Sequence, residues 1–190
     1  FTAEALPNRD FAHAERVGRR IGAAALAAVL RPVTASPTAR NAQLTLPLDR
    51  PEGDLLRRAA EWQAELDAGV PPPRGLLLPY WVTWARDHAA IPPGTWQGRA
   101  TVLDWGDVVI AALPGEVFSA TGLAIRAACG DRLGFVLAYA DDTAGYLPPR
   151  PEYPFGGYEV DEAHRFYGTP GRYAPGTAET LVDAMKTLLG

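Results

Sequence analysis

The feature that most constrains the fold of this chain is a pair of short apolar runs separated by one helical segment. The first run, Asp107 to Ala112, is β-branched and continuously apolar, and the second extends from Leu133 to Ala140. Such runs are typical of strands buried on both faces of a sheet. The segment Glu116 to Cys129 has helical spacing, and Gly130 is suited to end the helix. This order predicts a βαβ crossover with two parallel strands.

The flanking segments predict further helices and strands around this unit. At 190 residues the chain is long enough for one substantial core. Trp105-Gly106 is expected to form a hairpin turn, which makes the predicted sheet mixed. The sequence therefore predicts one α/β domain over residues 1–190, with a mixed sheet and a parallel βαβ unit flanked by helices. The other predicted elements are a helix from Asn8 or Asp10 to about Leu30, strands Gln43–Leu48 and Gln97–Leu103, helices after Pro51 and Pro79, and a final helix from Thr177.

Composition and charge exclude several classes of protein. The net charge of −4, without a basic cluster, gives no reason to expect a nucleic-acid partner. Cys129 is the only cysteine, so no disulfide forms within the chain, and we expect a buried, inert thiol. The apolar stretch Ile21 to Leu30 is too short to span a bilayer and does not have the pattern of a signal peptide.

Carboxylates follow both strands of the predicted parallel pair. Glu116 comes after the first strand, and Asp141 and Asp142 come after the second. Ligands of open α/β sheets bind outside the carboxyl ends of the strands, so these residues are candidates for a site. Glu116 is also predicted to begin a helix, where the macrodipole favours its charge. A purely structural first-turn carboxylate is the alternative.

The segment from Asp141 to Pro175 is long and rich in glycine, proline and aromatic residues. Segments of this length without regular structure tend to be functional or disordered, and disordered segments are poor in aromatic residues. We therefore predict an ordered, packed loop. Most of its tyrosines are expected to be amphipathic packing residues. The aromatic residues in and beside it are Tyr139, Tyr146, Tyr153, Tyr158, Tyr167, Tyr173, Phe155 and Phe166.

Three short motifs carry a resemblance to a known family. They are Leu113-Pro114-Gly115-Glu116, Ala144-Gly145-Tyr146, and Glu152-Tyr153 followed five residues later by Tyr158-Glu159. In order and spacing they resemble the C-terminal half of the catalytic domain of neutral/alkaline, non-lysosomal ceramidases. Those enzymes are zinc-dependent amidohydrolases that cleave the N-acyl bond of ceramide. The resemblance covers most of the chain and is strongest from Val108 to Tyr167.

The resemblance implies a zinc cofactor and roles for five residues. Glu116 and Tyr158 match positions that are zinc ligands in the family. Tyr146 or Tyr167 is expected to stabilise the oxyanion or to hold the amide. Asp142 is expected to orient a ligand, with simple loop capping as the alternative.

The chain also departs from the family. The zinc-binding histidines and the active-site serine of ceramidases lie upstream of the matched region, and His13, His88 and His164 fit neither role. The chain begins with Phe1 rather than Met. We therefore expect the back half of a distant, bacterial-type relative, with the upstream part of the same protein supplying histidine ligands. The compartment, secreted or cytoplasmic, stays open.

Three hypotheses follow for the function. The first is a zinc amidohydrolase acting on an N-acyl lipid, with transient contact to a membrane surface. The second is a metal hydrolase of the same fold that cleaves another amide or ester. The third is a non-catalytic α/β domain that binds a partner or a sugar through its tyrosine-rich loop.

Overall fold

The computed structural model describes residues 10–30, 32–33, 35–140 and 142–190, which fall into two units that divide between Thr34 and Ala35. The first unit contains helix α1 (Phe11–Leu26). As predicted, Asp10 caps this helix and accepts a hydrogen bond from the His13 amide at 2.6 Å, whereas Asn8 lies outside the described residues. The helix ends at Leu26, earlier than predicted. The single domain over residues 1–190 stays a prediction.

The second unit contains the remaining helices and strands. Its strands form a five-stranded sheet in the order β5-β3-β2-β1-β7 and a separate two-stranded sheet of β4 and β6. In chain order the elements are β1 (Thr38–Asp49), α2 (Leu55–Asp67), α3 (Arg74–His88), β2 (Thr95–Asp104), β3 (Val108–Ala112), β4 (Glu116–Val117), α4 (Ser119–Ala128), β5 (Leu133–Leu137), β6 (Tyr146–Leu147), a 3₁₀ helix (Arg150–Phe155), a π-helical turn (Tyr158–Glu162), α5 (Ala163–Tyr167), β7 (Arg172–Tyr173) and α6 (Thr177–Leu189).

The predicted fold class is confirmed. Strands β3 and β5 are parallel and are connected through α4, which is the βαβ unit that the two apolar runs predict. Strands β1, β2 and β3 are antiparallel neighbours, so the sheet is mixed. The predicted hairpin closes where the Trp105 amide donates to the Val108 carbonyl at 2.8 Å.

The main core lies between one face of the sheet and helices α4 and α6. The alternating pattern of β1 places Leu44, Leu46 and Leu48 on this face, as predicted. Helix α6 contributes Leu181 and Met185, which are fully buried. Each fully buried side chain of this kind contributes roughly 1.5–3 kcal/mol to the stability of the second unit.

Strand β3 is buried on one face only, not on both as predicted, and β5 is likewise open on one face. Because side chains alternate along a strand, Val109 and Gly134 face the core, whereas their neighbours face the other side. The exposed fractions of Leu133, Phe135 and Leu137 are 54%, 45% and 48%. The core helices cover one face of this strand pair, and the described residues leave an apolar surface on the other.

Two helix starts differ from the prediction: α2 begins after a capping aspartate, and α3 begins directly after Pro73 without a side-chain cap. Helix α2 begins after Asp54, whose carboxylate accepts hydrogen bonds from the amides of Leu56 (3.0 Å) and Arg57 (3.2 Å). Helix α3 begins at Arg74 and contains Pro79 in its interior. A proline there removes one backbone hydrogen bond, and burial of Leu78 and Trp81 compensates for that loss.

A second core joins α2 and α3 to the segment around α5. Trp62, Trp81 and Trp84 are buried, and the Arg165 guanidinium lies over all three rings, at 5.0, 4.7 and 5.7 Å from their centroids. These cation–π contacts tie α5 to the α2–α3 pair. These contacts also help to position Tyr167, which is the last residue of α5 and a predicted site residue.

A buried ionic group lies beside the tryptophans. The Glu52 carboxylate is 2.9 Å from Arg165 Nη2 and 3.2 Å from His164 Nε2. Burial alone raises the pKa of Glu52, but the nearby His164 ring and the hydrogen bond from Arg165 outweigh it and lower the pKa to about 2. Burial lowers the pKa of His164, so Arg165 is the permanent cation that balances Glu52.

Candidate active site

Glu116 lies in β4, directly after the turn that ends β3. Strand β4 is parallel to β6, and this register places Glu116 beside Tyr146. The Glu116 amide donates to the Gly145 carbonyl at 2.8 Å. The prediction that Glu116 begins a helix is therefore wrong, because this bond holds it in a strand and α4 begins at Ser119. Groups other than a helix terminus therefore stabilise the negative charge of Glu116.

Gly115 joins the ends of the two parallel strands. Its amide donates to the Asp142 carbonyl at 3.1 Å, and its carbonyl accepts from the Tyr139 amide at 2.9 Å. Its φ of +69° is a conformation that side chains other than glycine rarely adopt. The loops that follow β3 and β5 therefore meet at one edge, as the carboxyl-end argument predicts.

Three tyrosine side chains lie around the Glu116 carboxylate. Tyr167 donates a hydrogen bond to it, and Tyr139 and Tyr146 are close enough to lower its pKa. Partial burial raises the pKa of Glu116, but the three tyrosines outweigh this and lower the pKa below its usual value. Glu116 is thus held as a carboxylate at neutral pH.

The Glu116 carboxylate in turn keeps the phenols neutral. Its interaction with the hydroxyls raises the pKa of Tyr146 to about 12 and also raises the pKa of Tyr139 and Tyr167. Each hydroxyl therefore keeps its proton and acts as a hydrogen-bond donor. The ring of Tyr167 packs on Gly145, where an added Cβ would lie 3.0 Å from a ring carbon, so its direction is closely defined.

Tyr158 begins the π-helical turn and lies at the edge of this group. Its ring centroid is 5.9 Å from that of Tyr146 and 6.0 Å from that of Phe166. Partial burial and the charge of Glu116 raise the pKa of Tyr158. Single π-helical turns are frequent at functional sites. The structure thus brings four of the five predicted residues together: Glu116, Tyr146, Tyr158 and Tyr167.

Asp142 differs from the other four residues. Its carboxylate accepts a hydrogen bond from the Thr143 amide at 2.6 Å, which is the loop-capping alternative. It also lines a separate hollow formed with Gln43, Gln97 and Gly98. Its contribution to the site is the backbone bond to Gly115. An orienting role toward a metal ligand stays a prediction.

The carboxylate faces a hollow of about 270 Å³. Its wall combines the polar groups of Glu116, Tyr139, Tyr146 and Glu159 with apolar residues, which are Val117, Phe118 and Ala138. Neutral donors beside a carboxylate and an apolar wall can bind a polar group that carries an apolar chain.

Sequence reasoning missed Tyr139 as a member of the site. Its φ of +57° is unusual for a tyrosine, and such conformations cluster at functional sites. In this conformation its hydroxyl reaches Glu116. Its position at the end of the second apolar run, beside the carboxyl end of β5, was the available signal.

The Tyr139→Phe variant is expected to raise the pKa of Glu116 toward its usual value, because one of the three donors is lost. Tyr139→Gly is expected to do the same while raising the free energy of unfolding, since glycine adopts this φ without strain. Carbon-detected NMR titration of the Glu116 carboxyl measures the first effect, and urea unfolding measures the second.

The matched control is Tyr80→Phe, which removes an exposed hydroxyl whose ring lies near Phe166 and away from the carboxylate. It is expected to leave the titration of Glu116 unchanged. An unchanged titration in Tyr139→Phe would contradict the assignment of Tyr139 to the site.

The three histidines lie away from the group of residues around Glu116. His88 Nδ1 lies 2.8 Å from the Trp84 carbonyl and Nε2 lies 3.2 Å from that of Gly168. His164 is buried beside Glu52, and His13 lies in α1 of the first unit. Across residues 10–30, 32–33, 35–140 and 142–190, no cluster of three or more His, Cys, Asp or Glu side chains could hold a metal ion.

The donors of the site fit part of a zinc site. A carboxylate and a phenol oxygen are suitable ligands, but a tetrahedral zinc site needs four donors. Glu116 and Tyr158 offer two of them. The described helices contain no segment long and apolar enough to cross a membrane.

The fold and the site define an α/β domain with a carboxylate and tyrosine site at the carboxyl ends of two parallel strands. No protein-family model and no curated protein matches the chain. Among solved structures, the chain is similar to neutral ceramidase from Pseudomonas aeruginosa, at 19% identity and a TM-score of 0.43. It is also similar to a ceramidase complexed with C2, at 24% identity and a TM-score of 0.39.

The two alignments cover 82% and 63% of this chain. The chain spans only 29% and 20% of the two ceramidases. Both are ceramidases, the group that the motifs around Glu116 and Tyr158 resemble.

Proposed function

We propose that this chain is part of a zinc-dependent hydrolase of the ceramidase type, which cleaves the N-acyl amide bond of ceramide or a related lipid. The observation that carries the proposal is the Glu116 carboxylate, which accepts a hydrogen bond from Tyr167 and lines a hollow with Tyr139 and Tyr146. The ring of Tyr158 lies 5.9 Å from that of Tyr146, and its hydroxyl would supply a second oxygen. Glycine and tyrosine residues at the ends of β3 and β5 position this group.

In this proposal Glu116 and Tyr158 hold the zinc together with histidines from outside the described residues. Bound zinc lowers the pKa of a water molecule and polarises a carbonyl group. The apolar face of β3 and β5, where Leu133, Phe135 and Leu137 are exposed, supports the expectation that further residues complete the domain. The resemblance assigns those residues to the upstream part of the protein.

The tyrosines would bind the amide. Tyr146 and Tyr167 keep their protons because their pKa values are raised. If zinc takes up the Glu116 carboxylate, either hydroxyl is free to turn its hydrogen toward the carbonyl oxygen as negative charge develops on it. The ring of Tyr167 is held by packing on Gly145, so only the hydroxyl hydrogen has to move.

A lipid substrate is supported by the apolar surface near the site. Val117, Phe118 and Ala138 line the hollow, and an acyl chain would lie against them. Phe155, at the end of the 3₁₀ helix, is 83% exposed. An aromatic side chain in this position suits transient contact with a membrane surface.

A metal-free binding domain is the second candidate function. It is favoured by the hydrogen bond from Tyr167 to Glu116 and by the other tyrosines around the hollow. In this candidate the hollow binds a polar partner, such as a sugar, through tyrosine hydroxyls.

Zinc content separates the two candidates. The longest native product that contains this chain is expected to bind about one zinc ion per chain and to lose it in Glu116→Gln, because the carboxamide is a poor zinc ligand. The matched variant Glu159→Gln removes an equal charge from the same hollow and is expected to keep the zinc. Mass spectrometry of the metal content of the purified proteins gives the comparison.

Absence of zinc in all three proteins would remove the hydrolase mechanism and favour the binding domain. Zinc that is retained in Glu116→Gln would remove Glu116 from the ligand set. If zinc is bound through Glu116 but ceramide is not cleaved, the substrate is another amide or ester.

A further inference from the structure

His164 is a buried titratable residue that the proposed reaction does not use. Its side chain is 5% exposed, and its Nε2 atom lies 3.2 Å from the Glu52 carboxylate. Neither ring nitrogen has a hydrogen-bond partner in the described part of the chain. Burial removes the water that solvates an ion, so a protonated ring is less stable at this place than a neutral one.

His164 lies in the segment that positions two tyrosines of the site. It belongs to α5, which follows the π-helical turn that begins at Tyr158 and ends at Tyr167. Its ring lies edge-on to Trp84 of α3, with 5.0 Å between the centroids. Its carbonyl oxygen accepts a hydrogen bond from the Thr169 amide at 3.2 Å, beyond the end of α5. A displacement of His164 would therefore move the segment that carries both tyrosines.

A small cavity lies between His164 and residues that support Glu116. Its volume is about 10 Å³. His164 and Ala163 of α5 line it, together with Gly145 and Tyr146. A cavity of this size has room for about one water molecule at most. Hydration of a charged ring would therefore require the cavity to widen, by movement of α5 relative to Gly145 and Tyr146.

The charged groups around the ring are already paired or lie near solvent. Burial lowers the pKa of His164, and the two arginines lower it further, although Glu52 alone would raise it. On α3, the ring of Trp84 separates His164 from a second imidazole, that of His88. The charged groups from the surrounding elements are Glu52 and Arg165, which pair with one another, Arg172 with its partners Asp49 and Asp161, and the exposed Glu159 of the π-helical turn.

We propose that His164 is an acid-sensitive switch, whose protonation widens the cavity and moves α5, with Tyr158 and Tyr167, away from Glu116. At neutral pH the ring is uncharged and the tyrosines stay beside the carboxylate. In mild acid the charged ring requires water, and the site is loosened. The proposal concerns the position of the tyrosines and does not depend on zinc at Glu116.

The direction of the pH dependence follows from burial. In the unfolded chain His164 gains a proton below its usual pKa of about 6.5, whereas the folded chain gains it only at lower pH. Between these two values the unfolded state binds more protons, so acid favours unfolding. The stability is complete above about pH 6.5 and is lost as the pH falls toward the folded pKa. Within this window the unfolding constant rises at most about tenfold per pH unit.

NMR titration of the 190-residue chain from about pH 8 to about pH 5 tests the switch directly. The imidazole of His164 is expected to gain its proton below about pH 6.5. The ring signals of Tyr158 and Tyr167 are expected to change with the same midpoint. The pKa of Glu116 is lowered, so titration of this carboxylate lies below the window and does not produce the change.

Histidine variants separate His164 from other acid effects. His164→Gln replaces the ring by a neutral amide and is expected to abolish both the tyrosine change and the associated rise in the unfolding constant, measured by urea unfolding. His13→Gln is the matched control, because it removes a histidine of α1 in the first unit and is expected to keep both effects. Glu116→Gln is expected to keep the rise in the unfolding constant, so failure of the zinc proposal does not affect this result.

Three results would overturn the proposal. Protonation of His164 at or above about pH 6.5 would show that the folded chain accommodates the charged ring. Unchanged tyrosine signals while His164 gains its proton would leave the residue with a structural role alone. Persistence of the acid effects in His164→Gln would assign them to another group. The titration of the unmodified chain decides the first two points even where the variant does not fold.

Discussion

Replacement of Gly115 by alanine is expected to lower the free energy of unfolding by roughly 3 kcal/mol or more and to displace Glu116. Two effects add at this position. The φ of +69° is strained for alanine, and the new Cβ would lie 2.5 Å from the Gly145 carbonyl oxygen and 3.0 Å from Ala144 Cβ. The neighbouring atom is backbone that already accepts from Glu116, so it cannot move without disturbing the site.

Two other glycines form a matched series. Gly130 has a φ of +64° with no atom within 4 Å of an added Cβ, so Gly130→Ala is expected to cost about 1–2 kcal/mol from conformation alone. Gly122 lies within α4 with open space around it, so Gly122→Ala is expected to stabilise the helix by about 0.5–1 kcal/mol. Urea unfolding followed by tryptophan fluorescence gives the three values.

The comparison isolates the contact with Gly145. If Gly115→Ala costs no more than Gly130→Ala, the turn after β3 can relax, and the position of Glu116 is less rigid than the structure indicates. If it costs more, NMR titration of Glu116 is expected to show a pKa that has risen toward its usual value, since the tyrosine hydroxyls no longer converge on it.

The Arg165→Met variant is expected to lower the free energy of unfolding by about 3–5 kcal/mol, because it leaves the Glu52 carboxylate buried without its permanent cation. Arg165 is 8% exposed and lies 2.9 Å from Glu52. It also contacts three tryptophan rings. Methionine keeps the apolar stem, so the loss reports mainly on the charge.

A double variant distinguishes the charge from the packing. Glu52→Gln in the Arg165→Met background removes the unbalanced carboxylate and is expected to recover part of the lost stability. No recovery would assign the cost to the lost contacts with the tryptophans. Arg57→Met is the surface control. Arg57 pairs with Glu61 on the exposed face of α2, and the change is expected to cost less than about 1 kcal/mol.

The buried ionic group of Glu52, His164 and Arg165 also affects the position of the tyrosines at the site. Arg165 lies in α5 two residues before Tyr167, and the π-helical turn that begins with Tyr158 leads directly into α5. Loosening this segment is therefore expected to move both tyrosines relative to Glu116. A combined loss of stability and rise in the pKa of Glu116 in Arg165→Met would link the second core to the site.

Local patterns were sufficient for much of the fold. Two apolar runs and a helical segment determined β3, α4 and β5 and their parallel order, because a crossover of this length leaves few alternatives. Leucine alternation determined the buried face of β1. The motif around Glu116 predicted a functional site at the carboxyl edge of the sheet.

Contacts between residues far apart in the chain determined the features of the site that local patterns did not predict. Glu116 lies in a strand because Gly145, 29 positions later, supplies a backbone partner, and no local pattern contains that information. Tyr139 reaches the carboxylate only through a strained φ, against its intrinsic preference.

Hydrophobic periodicity and turn residues, which are local along the chain, were enough to predict the fold class, the βαβ unit and the residues from which a candidate site is built. Which tyrosines meet Glu116 and which face of β5 stays open could be seen only in the folded chain. These features depend on contacts between residues far apart in the chain, which local periodicity does not specify.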